Sequence, residues 1–151
     1  MINMKYINNL SELGNEITNS LTNNRLINLD HIVKQYNGND WYDYIHVKDP
    51  YYKELVYRNN LIDIFVITWS ANESSKIHSH PENGCLMKIL YGSLTEEKYD
   101  DDLRLIQTNL FNLNSVSYIE GNKILHKIIN QNKISVSLHI YSPPNFRTIY
   151  Y

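Results

Sequence analysis

From residue 61 onward the chain is cut into short β-rich runs by turn-forming groups, and this punctuation limits the fold more than any other feature. Segments 61–69, 86–91, 94–99, 115–119, 124–129 and 134–141 read as strands, with turn residues at 72–75, 81–84, 92–93 and 100–102 between them. Several short strands at this spacing predict an antiparallel sandwich or a small barrel. Upstream the period changes. Leu10, Leu13, Ile17 and Leu21 form a helical stripe that Ser11 is placed to cap. Leu26, Leu29, Val33 and Tyr36 repeat the spacing, and Asn37-Gly38-Asn39-Asp40 ends it. A third short helical segment is expected around 51–56. The chain therefore reads as one mainly β domain over 1–151, with a helical part through 56 and a barrel over 57–151.

Bulk properties narrow the function classes. The 151 residues are enough for one substantial core. A net charge of -2, with acids and bases interspersed, offers no basic face for nucleic acid or an anionic membrane. No segment approaches transmembrane length, and the first fifteen residues lack the apolar core of a signal peptide. Cys85 is the single cysteine, so no internal disulfide forms, and a reducing, cytoplasmic location is expected. A monomer is expected as well.

Six histidines are unevenly placed. His31 and His46 stand alone in the helical region. His78-Ser79-His80 is the informative pair, because residues two apart on a strand project from the same face. His126, on another expected strand, supplies a third imidazole if the two strands are neighbours. Three ligands of this kind leave one side of a metal open. The surroundings resemble the cupin pattern. Asn72 lies six residues before His78, Gly92 lies twelve after His80, and Asn130 follows His126. Cys85 fills the slot where many cupins carry a carboxylate, while Glu82 falls in a loop broken by Pro81. The expected centre is thus three neutral imidazoles. Its higher residual positive charge suits an anionic thiolate.

Two longer runs sharpen the resemblance. Segment 69–80, followed by Cys85, resembles the first metal segment of cysteine dioxygenases, and Ser137-Leu138-His139-Ile140-Tyr141-Ser142-Pro143-Pro144 resembles their C-terminal signature. The likeness covers roughly 57–144 and implies a cupin double-stranded β-helix (jelly-roll) barrel. By that resemblance, His78, His80 and His126 match the ligands of one iron(II) per chain. Cys85 and Tyr141 match a thioether-linked pair, and Ser137, His139 and Tyr141 match a hydrogen-bonded relay. Those three residues also alternate along one strand, so they share a face independently of any likeness. Ser142-Pro143 matches a cis peptide of the family. Tyr57 and Arg58 resemble the substrate-carboxylate clamp, although their spacing is one residue shorter than usual and Asn59 is the alternative occupant of the arginine slot.

The activity this implies is oxidation of L-cysteine by dioxygen to cysteine sulfinate. Alternative readings are the same chemistry on cysteamine or 3-mercaptopropionate, or a non-catalytic metal-binding cupin.

Overall fold

The computed structural model describes residues 6–47, 51–121 and 123–151. Two short helices lead into eight antiparallel strands. Helix α1 spans Leu10–Ser20 and α2 spans Asp30–Lys34, followed by a single 3-10 turn at Asp40–Tyr44. The strands are β1 Tyr51–Arg58, β2 Asp63–Trp69, β3 Cys85–Tyr91, β4 Leu94–Tyr99, β5 Leu105–Phe111, β6 Val116–Ile119, β7 Leu125–Ile129 and β8 Ser135–Tyr141. They form a five-stranded sheet of order β1-β2-β8-β3-β6 and a three-stranded sheet of order β5-β4-β7. This is the expected double-sheet, mainly β architecture.

Alternation sorts the large sheet's side chains onto two faces. Ile64, Val66, Leu86, Leu138 and Ile140 point toward the helices and join Leu10, Leu13, Ile17, Leu26 and Val33 in the larger core. Ile67, Trp69, Met87 and Ile89 point toward the small sheet and meet Leu94 and Ile128. Every residue of β8 is consequently buried, which is why that strand lacks an alternating pattern. Truncating one of these residues, Leu138 for instance, costs about 2–5 kcal/mol by the usual cavity penalty.

The helical reading holds in its apolar stripe and differs at its ends. Asn9, not Ser11, caps α1, its side chain accepting from the Glu12 N–H at 2.8 Å. The second stripe stays buried, yet only five of its residues are helical. Its end is fixed from outside. The buried Lys88 ammonium donates to the carbonyls of Val33, Lys34 and Tyr36, so these oxygens need no further helical turn.

Two elements depart from expectation. Segment 51–56 is not helical but the body of β1, paired along its length with β2. The helical part therefore ends before residue 56, and β1 belongs to the large sheet. Strand β5 went unread because it lies at a sheet edge, is largely exposed, and shows no apolar alternation.

Candidate metal centre

The histidine loop is held by backbone as much as by side chains. Asn72 has φ 60°, a left-handed value that asparagine tolerates, and turns the chain after β2. The Asn130 side-chain amide then donates to the Trp69 and Ser70 carbonyls, and its own N–H donates to the Glu73 carbonyl. Further along, His78 and His126 exchange backbone hydrogen bonds at 2.9 and 3.2 Å. That bridge places the His78-Ser79-His80 segment beside β7, the neighbourhood that the spacing required. Gly92 is left-handed too, at φ 74°, and a Cβ there would meet Ser135 Oγ at 2.4 Å.

The three imidazoles converge through their Nε2 atoms. His80 and His126 Nε2 lie 2.8 Å apart, and His126 and His78 Nε2 lie 3.0 Å apart. Imidazole nitrogens bound to one ion at about 2.0–2.1 Å and at right angles are separated by roughly 2.9 Å, against roughly 3.4 Å for tetrahedral angles. The two spacings are short enough for nitrogens sharing one ion, and three protein ligands leave positions open for others. This group can hold a metal ion.

Charge and tautomer agree with that use. Burial is the main cause that holds His80 and His126 well below the ordinary imidazole range, and it lowers His78 too. All three are therefore neutral near pH 7. His78 Nδ1–H donates to the Lys76 carbonyl at 2.7 Å, and His126 Nδ1–H donates to Glu96 Oε2 at 2.8 Å. Each bond puts the proton on Nδ1 and turns the Nε2 lone pair inward. Glu96 is buried, also accepts from Ser117 Oγ, and has its carboxyl raised chiefly by burial. Sequence reasoning missed it. The available signal was an acid in phase with Leu94, which points inward on β4.

Cys85 and Tyr141 are direct partners in the β3–β8 register, inside a small apolar cluster with Ile119. Burial pushes both the thiol and the phenol up, so each keeps its proton. On the same face of β8, Trp69 Nε1–H donates to Ser137 Oγ at 2.9 Å, and Ser137 donates to His139 Nε2 at 2.7 Å. The expected relay stops there. His139 and Tyr141 meet only as rings, 6.2 Å between centroids, and His139 Nδ1 has no hydrogen-bond partner among the described residues. Ser142-Pro143 is cis.

Tyr57 and Arg58 do not reach this site. A bulge in β1 lets Leu55 face Phe65 but sets Tyr57 opposite Ile64, which points to the helices. The Tyr57 hydroxyl accordingly donates to Asn15 Oδ1, with its ring over Gly14. Arg58 lies opposite Asp63 and clamps it in a bidentate pair at 2.6 and 3.0 Å. Asn59, the alternative, is also engaged elsewhere, donating to Thr18 and Tyr57.

Two lysines, Lys53 and Lys76, face the site, and Lys53 is the one stacked on its aromatic wall. A cavity of about 280 Å³ is lined by His78, Tyr141, Lys53, Tyr51 and Tyr150 among others. The Lys53 ammonium lies over the rings of Phe65 and Tyr141 at 4.2 and 4.6 Å, and it has no ion-pair partner among the described residues. Burial lowers its pKa. It was illegible in a segment read as helix; as strand, its alternation with Tyr51 puts both on the inner face.

A family model for cysteine dioxygenase type I matches residues 8–151. Among curated proteins, cysteine dioxygenase type 1 of Danio rerio is 29% identical over 126 residues, covering 73% of this chain and 60% of the relative. The Homo sapiens protein of that name is 29% identical over 103 residues, covering 58% and 52%. The chain thus spans little more than half the length of these relatives. Solved structures agree on the fold at low identity. A double-stranded β-helix protein from Klebsiella pneumoniae superposes with TM-score 0.62 at 11% identity, over 73% of this chain and 92% of that one. A cupin superfamily protein from Desulfitobacterium hafniense gives TM-score 0.53 at 17% identity, over 65% and 81%. The fold is that of the cupins, and the chain belongs to the cysteine dioxygenase type I family.

Proposed function

We propose that the protein is an iron(II)-dependent thiol dioxygenase that adds both atoms of dioxygen to the sulfur of cysteine, giving cysteine sulfinate. One observation carries the reading: His78 and the Lys53 ammonium, which has no ion-pair partner among the described residues, line the same cavity. A small molecule with a soft anion at one end and a hard anion at the other satisfies both. Three neutral imidazoles leave the full charge of a divalent ion available, which favours thiolate over water. Lys53 pairs with the carboxylate, the task first assigned to Arg58.

The bound iron would supply the binding site for thiolate and dioxygen and the redox chemistry between them. The chain's residues do the rest. His78, His80 and His126 hold the ion, and Glu96 fixes the orientation and tautomer of His126. Tyr141 keeps its phenolic proton and donates a hydrogen bond toward the substrate. Ser137 and Trp69 position His139, whose buried Nδ1 is left to face a polar group brought by the ligand. Cys85 and Tyr141 form the thioether pair, losing two hydrogens to dioxygen. Lysine is a point charge rather than a fork, so it imposes no bidentate geometry. For that reason 3-mercaptopropionate is the second substrate to consider, whereas cysteamine brings no anion for Lys53.

The test is metal content and oxygen uptake after anaerobic iron(II) loading. One iron per chain, cysteine-dependent uptake, and loss of both in His126→Ala are expected. Failure to retain iron, or unchanged activity in that variant, would end the proposal.

A further inference from the structure

The cavity beside His78 has an outer wall made by a segment that the catalytic reading does not use. Residues 149–151 run antiparallel to the histidine loop and join it through an isolated bridge. Tyr150 bridges His78, Ser79 N–H donates to the Ile149 carbonyl at 3.0 Å, and Tyr151 N–H donates to the Ile77 carbonyl at 2.9 Å. Ile149 N–H closes the set on Ser79 Oγ at 3.0 Å. Strand alternation then separates the side chains. Tyr150 lines the cavity with its ring centroid 6.0 Å from that of His78, while Ile149 and Tyr151 do not line it.

Tyr150 is half in solvent, at 57% exposure, so it stands at the mouth rather than in the core. Tyr51 lines the same cavity and is held edge-on against Trp69 at 4.8 Å. Burial, reinforced by the neighbouring Tyr150 phenol, pushes the Tyr51 hydroxyl up and keeps it neutral. The space these two rings border is about 280 Å³, just under the roughly 300 Å³ at which ordinary ligand pockets begin.

We propose that Tyr150 is a specificity-determining residue whose ring, tied to the His78 loop, limits the cavity to small free thiols and excludes cysteine carried within a peptide such as glutathione. This rests on the thiol dioxygenase reading. With sulfur at the histidines and an anion at Lys53, a small thiol lies within the cavity. A peptide continuing from the cysteine must leave past Tyr150 and Tyr51. The backbone around Tyr150 is bonded to the loop that carries two of the three histidines, which fixes where the ring is rooted at the cavity mouth.

The experiment compares cysteine with glutathione in the wild-type protein and in Tyr150→Ala, Tyr150→Phe and Tyr151→Ala. Oxygen uptake gives the ratio of kcat/KM values, and anaerobic calorimetry of the iron(II)-loaded protein gives the binding of each thiol. Tyr150→Ala is expected to raise the glutathione-to-cysteine ratio by about tenfold or more, the scale of discrimination by an apolar wall. Its binding of glutathione tightens in parallel. Tyr150→Phe keeps the ring and retains the wild-type ratio, as does Tyr151→Ala, which alters a neighbour outside the cavity. An unchanged ratio in Tyr150→Ala, or an equal rise in Tyr151→Ala, overturns the proposal. If the wild type oxidises neither thiol, the dioxygenase reading fails and calorimetry decides the wall. Tighter glutathione binding by Tyr150→Ala supports it, and equal binding or none overturns it.

Discussion

Replacing Lys53 with methionine preserves the length and apolar body of the side chain and removes only the ammonium. In the folded protein that ammonium pairs with no acid among the described residues, so the variant leaves no buried carboxylate behind. The loss falls on the substrate. A hydrogen bond to a charged group is worth about 1.5–3 kcal/mol, which corresponds to a roughly 10- to 150-fold fall in kcat/KM for cysteine. The fall is the same for 3-mercaptopropionate and absent for cysteamine. Arg58→Met is the opposite case. It deprives the buried Asp63 of its bidentate partner, leaving that carboxylate the Asn145 N–H, and is expected to lower the melting temperature with kcat/KM for cysteine retained. An oxygen electrode supplies the rates and circular dichroism the melting curves. Cysteine turnover that survives in Lys53→Met but collapses in a folded Arg58→Met would refute the assignment.

Glu96→Gln keeps the shape of the acid and removes its charge, so His126 loses its anionic partner; iron(II) affinity by competition with a chelator is expected to fall about 10- to 100-fold. Unaltered affinity would mean that Glu96 only packs. In the metal-free protein His80, His126 and His139 have folded pKa values well below the ordinary 6.5, chiefly through burial. As pH falls through 6.5 the unfolded chain takes up protons that the folded chain refuses. Stability is therefore expected to fall as pH drops below 6.5, because each of the three imidazoles is held neutral in the folded state. Urea unfolding between pH 7.5 and 5.5 reads this directly, and a flat profile contradicts it. Protein that has turned over cysteine should contain a fraction lighter by two hydrogens, absent in Cys85→Ser; intact-mass spectra without that fraction would leave Cys85 a packing residue.

The histidine cluster was legible because it needed only local rules. A two-residue spacing on extended backbone aims His78 and His80 together, and the β-rich segment around His126 supplied the neighbouring chain. The Ser137–His139 contact follows from the same alternation. Other features depend on pairing that no local window contains. Strand β1 is a strand because β2 lies beside it, and its Tyr51-Tyr52-Lys53 start carries no alternation of apolar and polar residues. The bulge between Leu55 and Tyr57 reverses the face on which Tyr57 falls, so the clamp implied by the resemblance of this segment points away from the histidines. Glu96 was hidden by a different rule: acids are expected outside, and its bonds to His126 and Ser117, with the Lys98 ammonium nearby, keep this one within. Tyr150 matters through a backbone bridge to His78, which sequence separation conceals.

Oxygen-isotope labelling of the product tests the assigned chemistry most directly. Iron(II)-loaded protein turning over cysteine under ¹⁸O₂ should yield cysteine sulfinate carrying label at both sulfinate oxygens. Product with one labelled oxygen or none, or oxygen consumed without sulfinate, would contradict a dioxygenase at the His78–His80–His126 centre.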